Sequence, residues 1–129
     1  MLATADWLLT ALHVAVVLGF LLLWIPRRTV RLHRWVVGLT AASWLGLGAT
    51  RGLGYCVLTD VHWRVKHARG ERRLPASFLK YAGDALTSRD LPPRSVDAAA
   101  GVGFLLGVGA AAARWRRERA GEHSAGADP

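Results

Sequence analysis

Apolar residues along this chain are gathered into three long runs, separated by basic or polar segments. The helices predicted from these runs cover 6–25, 32–55 and 94–113. Each has about the 20 residues that an α-helix needs to cross the hydrocarbon layer of a bilayer. Pro26 directly follows the first run, and proline stops a helix because it lacks the backbone N–H donor. The pattern therefore predicts three transmembrane helices.

The segment 59–90, between the second and third predicted spans, is too polar to cross a membrane. It holds two amphipathic stretches, 59–73 and 77–86, on either side of Leu74 and Pro75, and we expect both to be short helices at the membrane surface.

The predicted fold class is therefore an all-α integral membrane protein, with three transmembrane helices and short interfacial amphipathic helices between the second and third. One helical membrane domain covers 1–120. The small polar segment 121–129 is expected to be a disordered tail.

Composition supports a membrane location, because 52% of the residues are hydrophobic and only 20% are charged. The net charge of +8 comes largely from arginines directly after the first and third spans. These are Arg27, Arg28, Arg31, Arg34, Arg114, Arg116, Arg117 and Arg119. Short basic flanks stay in the cytoplasm, so the sequence predicts an outside N-terminus and a cytoplasmic C-terminus.

The first apolar run is expected to be a retained helix. No basic residue precedes it and no small-residue cleavage site follows it, as a secretory signal peptide would require. The arginines lie in the gaps between apolar runs and no nucleic-acid motif accompanies them. We therefore expect the lipid bilayer as a partner and no nucleic acid.

Small residues four positions apart form stripes on two of the predicted spans. The first stripe is Gly38, Ala42, Gly46 and Thr50, and the second is Gly103, Gly107 and Ala111. Such stripes let helices pack closely in a membrane. They do not tell whether the neighbour is a helix of the same chain, a second copy or a partner membrane protein.

Polar residues gather at the predicted outer end of the spans. Asp6, Thr10 and His13 share one face of the first helix. The candidate functional cluster combines that face with the end of the second span and the start of the third: His13, Arg51, Tyr55, Cys56, Thr59, Asp60, His62 and Asp97. Arg51 is expected to pair with Asp60, Asp97 or Asp6.

Two interpretations of this cluster stay open. In the first, the polar groups form a ligand or catalytic site. In the second, they are structural: Asp60 or Thr59 caps a helix, and His13 forms a hydrogen bond between two helices. No Cys/His set with zinc-ligand spacing occurs, so no metal site is predicted. The sequence does not indicate which cofactor, if any, the protein binds.

Two segments of the sequence resemble a bacterial inner-membrane family, the domain of unknown function 2784. They are GYCVLTDVHW at 54–63 and LPASFLKY at 74–81, and the likeness includes His13 and His33. The resemblance implies a small multi-helix protein with one histidine in its first span and another at the start of its second. It brings no known activity, cofactor or substrate, but it marks Cys56, Thr59, Asp60 and His62 as the signature region.

One position departs from the family pattern. The family carries a Cys-Pro-Leu-Thr element at the outer end of its second span, and in this chain Val57 takes the place of the proline. We expect the change to loosen the turn after Cys56.

The function predicted first is non-enzymatic: an inner-membrane protein that binds a lipid, a small ligand or a partner subunit through its stripes and outer polar cluster. The alternative is a membrane-embedded enzyme or redox or metal protein, with His13 as base or ligand, Cys56 as nucleophile and Asp60 orienting His62. Whether the chain is an enzyme stays open.

Overall fold

The computed structural model describes residues 1–52 and 54–125, and these residues form helices and turns with no strand. The helices are α1 (Leu2–Leu22), α2 (Val30–Ser43), α3 (Ala49–Arg51), α4 (Val57–Ala68), α5 (Phe78–Thr87) and α6 (Pro93–Ala125). A 3-10 turn, Arg27–Thr29, leads into α2, and a π-helical turn, Trp44–Gly48, joins α2 to α3. The all-α prediction is confirmed for this part of the chain.

Among the described residues, two helices are long and apolar enough to cross a membrane. They are α1, with 21 residues, and the part of α6 over Pro93–Gly121, with 29 residues. They correspond to the first and third predicted spans, although α1 begins and ends a few residues earlier than expected.

The second predicted span is not one regular helix. Its α-helical hydrogen bonding changes to the wider π pattern at Trp44–Gly48, a segment that contains two glycines, and glycine is a poor helix former. The short α3 then stops at Gly52, whose φ of 109° lies in a region that glycine adopts without strain.

The last helix is longer than the sequence suggested. It continues past the expected end at residue 113 and through residues 121–125, which had been predicted as disordered tail. Arginine, glutamate and alanine are good helix formers. In addition, Glu118 pairs with Arg34 at 3.0 Å, so α6 still contacts α2 beyond its apolar part. The rest of the predicted tail, 126–129, lies outside the described residues.

Aromatic rings hold α1, α2 and α6 together near the end of α1. The ring of Phe104 on α6 stacks on Trp44 at 4.8 Å and on Phe20 at 5.8 Å. His33, at the start of α2, is fully buried and its Nε2 donates to the Phe20 carbonyl oxygen at 3.0 Å. His33 therefore joins two helices.

The two small-residue stripes have different surroundings. Gly107 on α6 lies directly against Phe20, because an added Cβ would come within 2.1 Å of the Phe20 ring. By contrast, Gly38 on α2 and Gly46 in the π-helical turn have open space where a Cβ would stand. The stripe of α6 therefore packs within the chain at Gly107, whereas the stripe of α2 is exposed.

The two basic clusters meet at one end of the helices. Besides the Arg34 contact with Glu118, Arg114 donates to the carbonyl oxygen of Ile25 at 3.2 Å. The helices α4 and α5 lie at the opposite end, where α4 packs along the first half of α1. The chain thus has a basic end and a polar end.

Candidate functional site

The polar end is built where a polar face of α1 meets a polar face of α4. On α4 the buried residues are Thr59, His62, Trp63 and Lys66, at the i, i+3, i+4 and i+7 spacing of one helix face. On α1 the facing residues are Asp6, Thr10 and His13, as the sequence predicted. We call the following set the polar seam: Asp6, Thr10, His13, Cys56, Thr59, His62 and Lys66.

Asp6 is the most connected residue of the polar seam. Its Oδ1 accepts from His62 Nε2 at 2.7 Å and lies 3.1 Å from Lys66 Nζ, and its Oδ2 accepts from Arg69. The side chains of His62 and Lys66 are only 0% and 3% exposed. Because an unpaired buried charge is costly, Lys66 is stabilised by the carboxylate of Asp6 and also by that of Glu71, which lies 3.3 Å from its Nζ.

A chain of hydrogen bonds among uncharged groups forms the inner end of the polar seam. His13 Nδ1 lies 3.1 Å from the Leu9 carbonyl oxygen, which only accepts, so Nδ1 carries a proton. Nε2 of the neutral ring then accepts from the Thr59 hydroxyl at 3.3 Å. The Cys56 thiol lies 3.2 Å from that hydroxyl and 4.0 Å from His13 Nε2.

Cys56 also begins α4. Its Sγ accepts from the backbone N–H of Thr59 at 3.4 Å, which makes Cys56 the N-cap of the helix. The helix therefore starts earlier than the sequence suggested, and neither Thr59 nor Asp60 caps it. The thiol is placed against His13 by the first turn of α4.

Asp60 does not orient His62, contrary to the arrangement expected for an enzyme. Residues 60 and 62 lie on different faces of α4, and the carboxylate partner of His62 is Asp6. The other ring nitrogen of His62, Nδ1, is buried and has no hydrogen-bond partner among the described residues.

Asp60 instead belongs to a second polar group, on the outer face of α4. It accepts from the Tyr55 hydroxyl at 2.9 Å and pairs with Arg51 at 3.0 Å and with Arg64 at 2.9 Å. The pKa of Asp60 is lowered from its usual value of 3.8, first because Tyr55 donates to the carboxylate and then because two guanidinium groups lie beside it. Of the pairings expected for Arg51, the structure shows the one with Asp60.

Asp97 belongs to neither group. It is half-buried near the start of α6, and it makes no side-chain hydrogen bond or ion pair within the described ranges. Of the predicted cluster, His13, Cys56, Thr59 and His62 thus come together in the polar seam, and Arg51, Tyr55 and Asp60 form the outer group.

The roles of Lys66 and Trp63 were not predicted from the sequence. Both were assigned to a membrane-surface stretch, yet both are buried. Trp63 donates its indole N–H to the Pro75 carbonyl oxygen at 2.8 Å and packs against Tyr81. The available signal was their spacing from Thr59 and His62, which places all four on one face.

Burial disfavours a charge on Lys66, but the pKa of Lys66 is nevertheless raised above 10.5 because Tyr81 and Asp6 lie beside the ammonium group. The ammonium also lies 4.7 Å from the centre of the Tyr81 ring, where a cation is attracted to the ring face. Lys66 therefore remains a cation in the middle of a buried network.

A cavity of about 890 Å³ begins at the inner end of the polar seam, within the range of small-molecule sites. His13, Cys56 and Thr59 line one part of it, and apolar side chains line most of the rest. The apolar part includes Val16, Val17, Phe20, Leu39, Trp44, Leu58, Phe78, Val96, Ala100 and Phe104. Between His13 and Phe20, α1 rises by about 10 Å, so the cavity extends well along that helix.

Within the described part of the chain, no group of three or more His, Cys, Asp or Glu side chains is placed to hold a metal ion.

Over residues 1–52 and 54–125 the protein is all-helical, with two helices long and apolar enough to cross a membrane. Residues 3–116 match the family described as Protein of Unknown function (DUF2784). The chain belongs to this family, as the resemblance indicated. No curated protein and no solved structure matches the chain.

The valine that replaces the family proline has a structural partner. Val57 is the first residue of α4, and its backbone N–H donates to the Ser43 hydroxyl oxygen at 2.8 Å. Proline lacks that donor, although it suits the first helical position. This hydrogen bond joins α2 to the first turn of α4, at the position where the turn is expected to be looser.

We predict that Val57→Pro has little effect in the wild-type chain, because the lost hydrogen bond offsets the stiffer backbone, each contributing about 1 kcal/mol. In a Ser43→Ala background, where the hydrogen bond is already gone, Val57→Pro should stabilise the protein by about 0.4–1 kcal/mol. Thermal unfolding of the four detergent-purified variants measures both effects. Equal effects of Val57→Pro in the two backgrounds would show that Ser43 does not compensate for the missing proline.

Proposed function

We propose that this protein is a three-span protein of the bacterial inner membrane that binds a lipid-like ligand in the cavity beside the polar seam. The observation that carries the proposal is the combination of a large apolar cavity with uncharged polar groups at one end. Pockets that bind small molecules are mostly apolar, with a few polar groups that orient the ligand.

The surface of the long helices supports a location in the membrane. Only 17% of the most apolar part of α1 and 6% of that of α6 are buried, whereas a core helix of a soluble protein is mostly buried. Large apolar side chains such as Leu39, Leu45 and Leu105 are 65%, 79% and 69% exposed. Contiguous apolar surface of this extent suits lipid better than water.

The second span in this proposal is the continuous segment from α2 through the π-helical turn to α3. At about 1.5 Å per residue it is about 30 Å long, which matches the hydrocarbon thickness. The π-helical turn keeps its backbone hydrogen-bonded, as a lipid environment requires.

The proposed orientation has the basic end in the cytoplasm and the polar end outside. The contacts of Arg34 with Glu118 and of Arg114 with Ile25 support it, because they join the two short basic clusters at one end of the helices, and short basic clusters favour the cytoplasmic side.

Labelling of introduced cysteines tests this orientation. In a Cys56→Ser background, we expect Arg72→Cys to react with a membrane-impermeant maleimide in intact cells, and Arg28→Cys to react only after lysis. Both positions are exposed, so a difference in labelling reports their side of the membrane. The reverse pattern would invert the orientation, and equal labelling in intact cells would rule out a span between them.

A binding role accounts for the geometry better than catalysis does. The base expected for an enzyme, His13, already accepts from the Thr59 hydroxyl at 3.3 Å through Nε2, and that nitrogen lies 4.0 Å from the Cys56 sulfur. The groups that face the cavity are thus held in place by one another and present a fixed polar surface.

Filling the cavity tests the proposed binding. Ala100 lines the cavity, whereas Ala98 on the same helix is exposed and outside it. We expect Ala100→Phe to reduce the amount of lipid that co-purifies with the detergent-solubilised protein by at least about tenfold, which corresponds to about 1.4 kcal/mol of binding free energy, while Ala98→Phe leaves it unchanged.

The measurement is mass spectrometry of an organic extract, normalised to protein, with thermal unfolding to check that both variants are folded. Equal lipid content in a folded Ala100→Phe protein, or no lipid in the wild-type protein, would contradict the proposal.

A further inference from the structure

The lining of the cavity carries no full charge. Among the described residues around it, none is Asp, Glu, Lys or Arg. The polar side chains that it does contain are neutral: His13, Thr40, Ser43, Cys56, Thr59 and Ser95. Because a charge moved from water into such surroundings loses its solvation without gaining a partner, an ionised ligand is disfavoured there.

The acidic groups of α1 and α4 beside the cavity are already paired with basic groups. Asp6 is engaged by His62, Lys66 and Arg69 in the polar seam. Asp60 is engaged by Arg51 and Arg64 in the outer group. A charged ligand would have to break one of these sets to gain a counter-ion from α1 or α4.

The polar end of the cavity still offers hydrogen bonds. The Ser43 oxygen accepts from Val57 N–H, which leaves its own O–H free to donate. His13, Thr59 and Cys56 form a chain of short contacts beside it. These groups suit a ligand oxygen that is uncharged, such as a hydroxyl or a carbonyl.

The cavity also has an exposed side. Leu39, Val57 and Val61 line it and are 65%, 56% and 45% exposed. Leu39 lies on α2, within the second proposed span, so a long hydrocarbon chain reaches the cavity from the apolar layer without crossing water.

From these observations we propose that the ligand is an uncharged amphiphile, with one long hydrocarbon chain in the apolar part of the cavity and a hydroxyl or carbonyl head beside His13, Ser43 and Thr59. The proposal rests on the proposed function and adds the charge and the head group of the ligand. It excludes ionised fatty acids and phospholipids from the cavity.

Two photoreactive probes of equal chain length test the proposal: a diazirine-bearing hexadecanol and the corresponding diazirine-bearing hexadecanoic acid. The full-length protein is reconstituted in bilayers at about pH 8, where a carboxylic acid is ionised and an ordinary thiol stays mostly protonated. Labelling is quantified by intact-protein mass spectrometry over a range of probe concentrations. We expect saturable labelling by the alcohol and at least about tenfold weaker labelling by the acid.

The variants assign the labelling to the cavity. Labelling by the alcohol should be lost in Ala100→Phe and retained in Ala98→Phe. In Ser95→Lys, which adds a cation to an exposed position of the lining, labelling by the acid should rise to at least the level of the alcohol. If labelling by the acid does not increase in Ser95→Lys, the absence of charge in the lining does not determine the preference for the alcohol, and the proposal is overturned.

The failure of this proposal differs from the failure of the proposed function. If the acid labels the wild-type protein as strongly as the alcohol or more strongly, and this labelling is lost in Ala100→Phe, the claim that the head group is uncharged is overturned. The claim that the cavity binds lipid then still stands. Absence of saturable labelling by either probe, or labelling that persists in a folded Ala100→Phe protein, overturns both.

Discussion

The attachment of α4 to α1 depends on one carboxylate, that of Asp6. It binds His62, Lys66 and Arg69 from α4 and the residue that follows it, and two of these partners are almost completely buried. Removing one partner of a buried ion pair costs more than the pair itself contributes, because the remaining charge stays buried without a partner. The polar seam is therefore a strong constraint on where α4 lies.

The position of α4 in turn creates the cavity. With Asp6 fixing one end of the helix and Cys56 capping the other, Thr59 is held against His13, and Val57 reaches Ser43 on α2. The same helix thus separates two environments: the paired charges lie on the Asp6 side, and uncharged groups face the cavity. That separation is the physical basis for assigning the cavity to a lipid-like and uncharged ligand.

Much of this arrangement could be predicted from the sequence, because it follows from helical periodicity. The spacing of Asp6, Thr10 and His13 predicted their common face, and the GYCVLTDVHW segment identified the family and its signature residues. Arg51 was correctly expected to pair with Asp60 as one of three choices. These inferences needed only local geometry and the charges of the residues.

The rest of the site could not be predicted, because it depends on which face of α4 packs against α1. A stretch rich in basic residues is usually solvated, so Lys66 was placed at the membrane surface, whereas Asp6, about sixty residues earlier in the chain, makes its burial possible. The carboxylate partner of His62 was misassigned to the near neighbour Asp60 for the same reason. The π-helical turn in the second predicted span and the extension of α6 also escaped prediction, since an apolar run does not determine where regular hydrogen bonding changes or ends.

The most direct measurement is amide hydrogen exchange of α4 in the detergent-purified wild-type, Asp6→Asn and Asp97→Asn proteins. If Asp6 holds α4 in place, Asp6→Asn should lower the protection of α4 by about a hundredfold, equivalent to about 3 kcal/mol, and leave the middle of α6 unchanged. Asp97→Asn should change neither, because Asp97 pairs with no described residue. Wild-type protection of α4 in Asp6→Asn would contradict the account, since α4 would then be held by contacts other than the polar seam.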